Sequence, residues 1–269
     1  MKPRPVVHLV GAGPGDPELL TLKAVRVLRA ADVVVHDRLV GDGVLDFVPP
    51  SAERICVGKH PGGPRVEQEE INDLLVRLAL AGRRVVRLKG GDPFLFGRGG
   101  EEVLHLLAHG IRVEVVPGIT AAFGAAAELL VPLTHRGLAS GVRFVTGHCR
   151  DDGELDLDWE GLADPDTTLV VYMGLAHVHE IALRLMAAGL PAGTPALAVE
   201  RATCPGMRRV RARLGDLAAK VGEAGLRPPV LFVIGRVVEL AAAPELAAAP
   251  PEEAALSRVL AGVGHAPEV

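Results

Sequence analysis

The most constraining feature of this chain is a repeated order of events. A short β-branched apolar run gives way to a glycine-bearing turn, and a helical pattern follows. Residues 6–10 form such a run, then come G-A-G-P-G-D at 11–16 and a helical pattern over 17–30. Asp16 suits an N-cap, and Pro17 suits the first helical position, where a missing N–H costs nothing. Residues 32–36 and 54–58 read as further strands. Between 67 and 81, Ile71, Leu74, Leu75, Leu78 and Ala79 recur at helical spacing. A strand at 84–89 ends in G-G-D-P, a helix spans about 100–109, and a strand at 112–116 follows. This alternation predicts a mostly parallel sheet covered by helices.

Pro117-Gly118 is the predicted boundary, and a second alternating set lies beyond it. A helix of small residues at 120–130 precedes strands near 142–146, 168–173, 196–200 and 230–234. The acidic stretch 151–166 reads as a loop. The expected fold is therefore α/β: two α/β domains, 1–117 and 118–240, with mostly parallel sheets flanking a cofactor cleft. An Ala/Pro/Glu-rich tail at 241–269 completes the chain.

Composition removes several function classes. The apolar runs are strand-sized, far below the ~20 residues needed to span a bilayer. No long apolar segment with a small-residue cleavage site follows Met1, so a cytoplasmic location without membrane attachment is expected. A net charge of -4 and 3% aromatic residues argue against nucleic acid as a partner. Cys56, Cys149 and Cys204 are scattered, offering neither a disulfide framework nor a paired metal motif, and read as buried or incidental thiols. His177-Val-His179 lacks a carboxylate set at ligand spacing, so no metal site is expected.

Three glycine loops carry the chemistry. The 11–16 loop fails the dinucleotide fingerprint, because Asp16 stands where the third glycine is needed and Pro14 removes an N–H. A tight strand-to-helix turn and a loop for another small molecule both fit it. Gly90 and Gly91, at a strand's C-terminal end, let a ligand approach the backbone, and Asp92 suits a cationic group such as an ammonium. Thr120, between strand and helix at the predicted junction, suits a simple N-cap or a cleft ligand.

Ten segments, in order, resemble one family. They are V-G-A-G-P-G-D-P at 10–17, D-R-L-V at 37–40, V-G-K at 57–59, Q-E-E-I-N at 68–72 and V-R-L-K-G-G-D-P-F-L-F-G-R-G-G-E-E at 86–102. To these add V-P-G-I-T-A at 116–121, P-L-T-H-R at 132–136, V-T-G-H at 145–148, Y-M-G at 172–174 and G-R-V-V at 235–238. Together they resemble the uroporphyrinogen-III C-methyltransferases of the tetrapyrrole (class III) methyltransferase family. The resemblance runs from about Val7 to Leu240.

It implies S-adenosyl-L-methionine folded into a cleft between two α/β domains, with S-adenosyl-L-homocysteine as the by-product. It implies a cofactor site lined by Pro14, Gly90, Gly91, Asp92, Leu95, Thr120, Ala121, Met173 and Ala202. Asp37 and Lys59 occupy the family's proton-handling positions, and a homodimer is implied. Two departures fall near the tetrapyrrole side. His36 stands where the family usually has an aromatic residue, and Pro64-Arg65 where it usually carries His and a small residue. The dehydrogenase-chelatase domain of some sirohaem synthases has no counterpart here, so a stand-alone methyltransferase is expected.

The implied reaction is methylation of uroporphyrinogen III at positions 2 and 7, giving precorrin-2 by way of precorrin-1. A later precorrin C-methyltransferase is the alternative. A pyrrole is nucleophilic enough to need no serine or cysteine. It does need stabilisation of the positive charge that develops on it and an acceptor for a proton, and Asp37 suits both tasks. An aspartate after a strand also suits a helix cap. The substrate's carboxylates suit arginine forks, and Arg38, Arg98 and Arg136 are the candidates, each of which also fits as a solvated surface charge.

Overall fold

Strands buried on both faces read as near-continuous apolar runs, and the central strands of the first half, within 6–11, 33–36 and 85–89, are buried along most of their length. A computed structural model describes residues 5–58, 66–148, 153 and 155–241. In chain order come β1 (Val6–Gly11), α1 (Leu22–Arg29), β2 (Val33–His36), α2 (Asp42–Leu45) and β3 (Glu53–Cys56). Then follow α3 (Gln68–Leu80), β4 (Val85–Lys89), α4 (Gly99–Ala108) and β5 (Arg112–Val116). The five strands form one sheet in the order β3-β2-β4-β1-β5. Every pairing in it is parallel.

Alternation along each strand splits the core in two. Val10, Val34, Val86 and Leu88 pack with Ala24 and Leu28 of α1 on one face. Val7, Leu9, Val33, Val35 and Val85 pack with Leu75 of α3 and Leu106 of α4 on the other. Arg87 and Lys89 share the second face, and both are 2% exposed. Two charged residues in the middle of a parallel sheet need partners on the helices above them.

The helix expected over 17–30 is broken into two. Asp16 accepts a hydrogen bond from the Glu18 amide and caps a single 3-10 turn, Pro17–Leu19. Leu20 is extended, and Thr21 caps α1 afresh by accepting from the Ala24 amide at 3.1 Å. A second capping side chain five residues along thus competes with the first and redirects the chain. At α3 the start is sharper: the Glu67 amide donates to the Glu70 carboxylate at 3.0 Å, half of a reciprocal capping box.

The second half corrects the expectation of a mostly parallel sheet. Its elements are α5 (Ala121–Glu128), β6 (Gly141–Thr146), α6 (Trp159–Leu162), β7 (Thr167–Tyr172), α7 (Val178–Ala187), β8 (Pro195–Glu200), β9 (Arg208–Arg213), α8 (Leu217–Glu223) and β10 (Val230–Ile234). The strand order is β6-β7-β10-β8-β9. Only β6 and β7 run parallel; β10 is antiparallel to both its neighbours, as is β9 to β8. The reason is connection length. The β8–β9 link spans 201–207, too short for the crossover that parallel pairing requires, so the chain turns back as a hairpin. β9 escaped the sequence reading because Arg208, Arg209, Arg211 and Arg213 mask its alternation. It is an edge strand, where charged side chains block further pairing. The acidic stretch expected as a loop contains α6, capped by Asp158.

Candidate active site

The C-terminal ends of β1 and β4 are neighbours, so their glycine loops meet. The Gly13 amide donates to the Gly91 carbonyl at 3.2 Å, and the Gly91 amide returns a bond to Gly13 at 2.7 Å. The loop after β5 closes on the same point. A Cβ on Gly118 would sit 2.2 Å from the Gly91 carbonyl oxygen. Gly118→Ala is therefore expected to force these loops apart and cost about 1–3 kcal/mol, as overpacking does. A calorimetric midpoint several degrees lower is the expected result, and an unchanged midpoint would contradict the close approach.

Asp92 ties two of these loops together. One carboxylate oxygen accepts from the Phe94 amide at 2.8 Å, the other from the Gly118 amide at 3.0 Å. Gly91 and Asp92 are only half-buried, so the loop stays reachable. Thr120 sits at the N-cap position of α5, yet its side chain makes no cap bond. Its hydroxyl instead meets the Tyr172 hydroxyl, at the end of β7, at 2.6 Å, and the Ala122 amide donates to the same phenol at 3.1 Å. Burial pushes the Tyr172 phenol up, against the pull of those two bonds. Met173 follows with φ 54° and is 48% exposed. Leu95 lies half-buried in the Asp92 loop; beside it, Phe96 brings its ring to 5.2 Å from that of Tyr172, joining the first half to the second.

The 11–16 loop reaches the second half as well. Pro14 packs where a Cβ on Gly124 of α5 would clash, at 2.8 Å. The Asp16 amide donates to the Thr203 hydroxyl at 3.2 Å, and the Ala202 carbonyl lies against Gly15. Pro14, Gly90, Gly91, Asp92, Leu95, Thr120, Met173 and Ala202 thus belong to loops, and Ala121 to the first turn of α5, along one seam between the two sheets. Gly90 and Gly91 leave half-buried backbone with no side chain of their own at this seam.

Asp37 follows β2, where its amide donates to the Leu88 carbonyl of β4 at 3.2 Å. Its carboxylate is 31% exposed and pairs through Oδ1 with Nη2 of Arg87 at 2.5 Å. Arg87 also donates through Nε to Glu102 Oε1 at 3.1 Å, and that oxygen accepts from Lys89 at 2.8 Å and from Gln68 at 3.1 Å. Glu102 is fully buried. Burial pushes the Lys89 ammonium down, Arg87 adds to the effect, and Glu102 opposes it. The sequence reading missed this cluster, although the i, i+2 spacing of Arg87 and Lys89 inside an apolar strand was its signal.

The arginine candidates are not gathered in the same way. The stem of Arg38 packs on Gly58, close to Asp37. Arg98 adopts φ 57° at the start of α4, and its fork is taken by Glu101 at 2.6 and 2.8 Å. Arg136 lies exposed in the turn bridged by His135 and Ala139. Lys59, Pro64, Arg65, Cys149 and the 242–269 part of the tail lie outside the described residues. Of the other thiols, Cys56 is exposed rather than buried and Cys204 is half-buried. A separate cavity of about 340 Å³ opens at the opposite end of the second sheet, lined by Leu162, Leu169, Leu190, Pro195 and Ile234 among others. It shares no residue with the seam. No helix among the described residues is long and apolar enough to cross a membrane.

Glycine loops at parallel strand ends, met by loops of a second sheet, define an α/β protein of two sheets joined along one seam. Residues 6–218 match the family model for tetrapyrrole (corrin/porphyrin) methylases, and the chain belongs to that family. It is 59% identical over 235 residues to the S-adenosyl-L-methionine-dependent uroporphyrinogen III methyltransferase, chloroplastic, of Arabidopsis thaliana, covering 87% of this chain and 64% of that one. It is 56% identical to the uroporphyrinogen-III C-methyltransferase of Paracoccus denitrificans, over 87% of this chain and 82% of that one. Its fold matches the crystal structure of uroporphyrin-III C-methyl transferase from Thermus thermophilus complexed with S-adenyl homocysteine. The TM-score is 0.75 at 50% identity, covering 87% of this chain and 99% of that chain.

Proposed function

We propose that this chain methylates uroporphyrinogen III at positions 2 and 7, forming precorrin-2 through precorrin-1. The observation that carries the reading is the seam itself. Loops from both halves converge beside a partly exposed aspartate, in a chain more than half identical to enzymes of that name. S-adenosyl-L-methionine supplies the methyl group as an electrophilic sulfonium. Gly90 and Gly91 admit it against bare backbone, while Thr120, Ala121, Met173 and Ala202 close the site from the second half. Pro14 and Leu95 fill its flanks. Asp37 opposes the positive charge that grows on the pyrrole and then accepts the proton released from the methylated ring. Arg38, Arg98 and Arg136 pair with substrate carboxylates, with Arg98 exchanging Glu101 for the ligand. Lys59, by its motif, acts as a proton donor or as a further anchor for a substrate carboxylate.

Incubating the full chain with uroporphyrinogen III and the methyl donor tests this by mass spectrometry. The expected product is two methyl groups heavier, with two equivalents of S-adenosyl-L-homocysteine released. Binding of the tetrapyrrole with no S-adenosyl-L-homocysteine formed contradicts an enzyme, and turnover only on an already methylated precorrin assigns a later step.

Asp92→Ala removes two charge-assisted bonds that hold the loops, each worth about 1.5–3 kcal/mol. The expected result is a Kd for S-adenosyl-L-homocysteine raised roughly tenfold or more by calorimetry. An unchanged Kd would remove Asp92 from the site.

Exposed Leu80, Leu104 and Leu107 on the adjoining helices α3 and α4 support self-association, and the homodimer is the proposed state. Sedimentation at twice the chain mass is its expected signature.

A further inference from the structure

The buried charges beneath Asp37 have no part in the reaction as derived so far. Burying ions is costly unless each finds a partner, and apolar residues of the same size often serve stability as well or better. Here Arg87, 2% exposed, stands between two carboxylates. Its Nε binds Glu102 Oε1 at 3.1 Å, and its Nη1 donates to the carbonyls of Leu88 at 3.1 Å and Val35 at 3.4 Å. Those three anchors fix the guanidinium plane against β4, α4 and the end of β2. The remaining nitrogen, Nη2, reaches Asp37 Oδ1 at 2.5 Å. Lys89 and Gln68 complete the shell by binding the same Glu102 oxygen, so the acid that anchors Arg87 is itself held from three directions.

We infer that Arg87 is a positioning residue: it clamps one oxygen of Asp37 so that the exposed side of the carboxyl keeps a fixed aim at the pyrrole. The inference rests on the role proposed for Asp37. A rigid guanidinium fork anchored on its far side by Glu102 can do this, whereas a free aspartate after a short strand would rotate about its own side-chain bonds. Misplacing a reacting group by about 1 Å can cost on the order of 100-fold in rate.

The test is a double-substitution cycle on the full chain, with kcat measured per folded site and the Kd for S-adenosyl-L-homocysteine measured alongside. Arg87→Met alone is expected to lower kcat on the order of 100-fold with that Kd little changed. Placed on top of Asp37→Asn, it is expected to add almost nothing, because the group it aims is already disabled. Arg87→Lys is run in parallel. It keeps a cation beside Glu102, so the cycle can be read even where the methionine variant fails to fold, and the same lack of additivity is expected. Losses that multiply in the double variants overturn the positioning role and leave the Asp37 reading intact. Normal turnover by Asp37→Asn alone overturns the Asp37 reading, and this inference with it.

Discussion

Asp37→Asn is expected to lower turnover by roughly 10²–10⁴-fold while leaving the affinity for S-adenosyl-L-homocysteine at its original value. The split follows from where the side chain sits. Asp37 belongs to the loop after β2 and is bonded to Arg87, whereas the loops expected to hold the nucleoside follow β1, β4, β5, β7 and β8. Asparagine keeps the shape and one oxygen for Arg87, but it neither carries the negative charge nor takes up the proton. Single-turnover kinetics with calorimetric affinity measures both halves of the prediction. Undiminished turnover would withdraw Asp37 as base, and an equal loss of affinity would move it into the cofactor site.

The largest stability effect is expected at Glu102. Glu102→Ala leaves Arg87 paired with Asp37 and strips buried Lys89 of its ion pair with Glu102, and breaking such a cluster costs about 3–5 kcal/mol. For a chain of this size that lowers the thermal midpoint by roughly 6–20 °C. A pH signature accompanies it. The folded state already holds the Lys89 proton less tightly than an unfolded chain does, because burial lowers its pKa from 10.5. That difference costs stability at neutral pH, and the cost is recovered as pH rises through the folded pKa towards 10.5. Removing Glu102, which raises the Lys89 pKa, lowers it further and steepens the recovery. A midpoint unmoved by the substitution would show that the cluster is not holding the helix to the sheet.

Much of the first half was legible because each of its elements repeats one local rule. A parallel strand buried on two faces has to be continuously apolar, and the helices return with a regular stripe. β1, β2 and β4 fall within one residue of their expected bounds for that reason. The second half was less legible, since strand direction depends on which strands pair. Nothing local in residues 230–234 says that β10 inserts antiparallel between β7 and β8. The candidate site shows the same division. Gly90, Gly91 and Asp92 announce themselves at a strand end, where glycine permits close approach. Tyr172 does not, because its meaning comes from Thr120, 52 positions away in the chain and 2.6 Å away in space. Glu102 likewise carries no local mark of its role, which comes from α4 turning it onto Arg87 and Lys89.

A crystal structure of the chain with S-adenosyl-L-homocysteine tests the central claim most directly. The account expects the nucleoside between the two sheets, touching the backbone at Gly90 and Gly91 from one half and Thr120 and Met173 from the other. Density for it in the cavity beside Leu190 and Ile234, or anywhere that leaves the glycine loops untouched, would contradict the account.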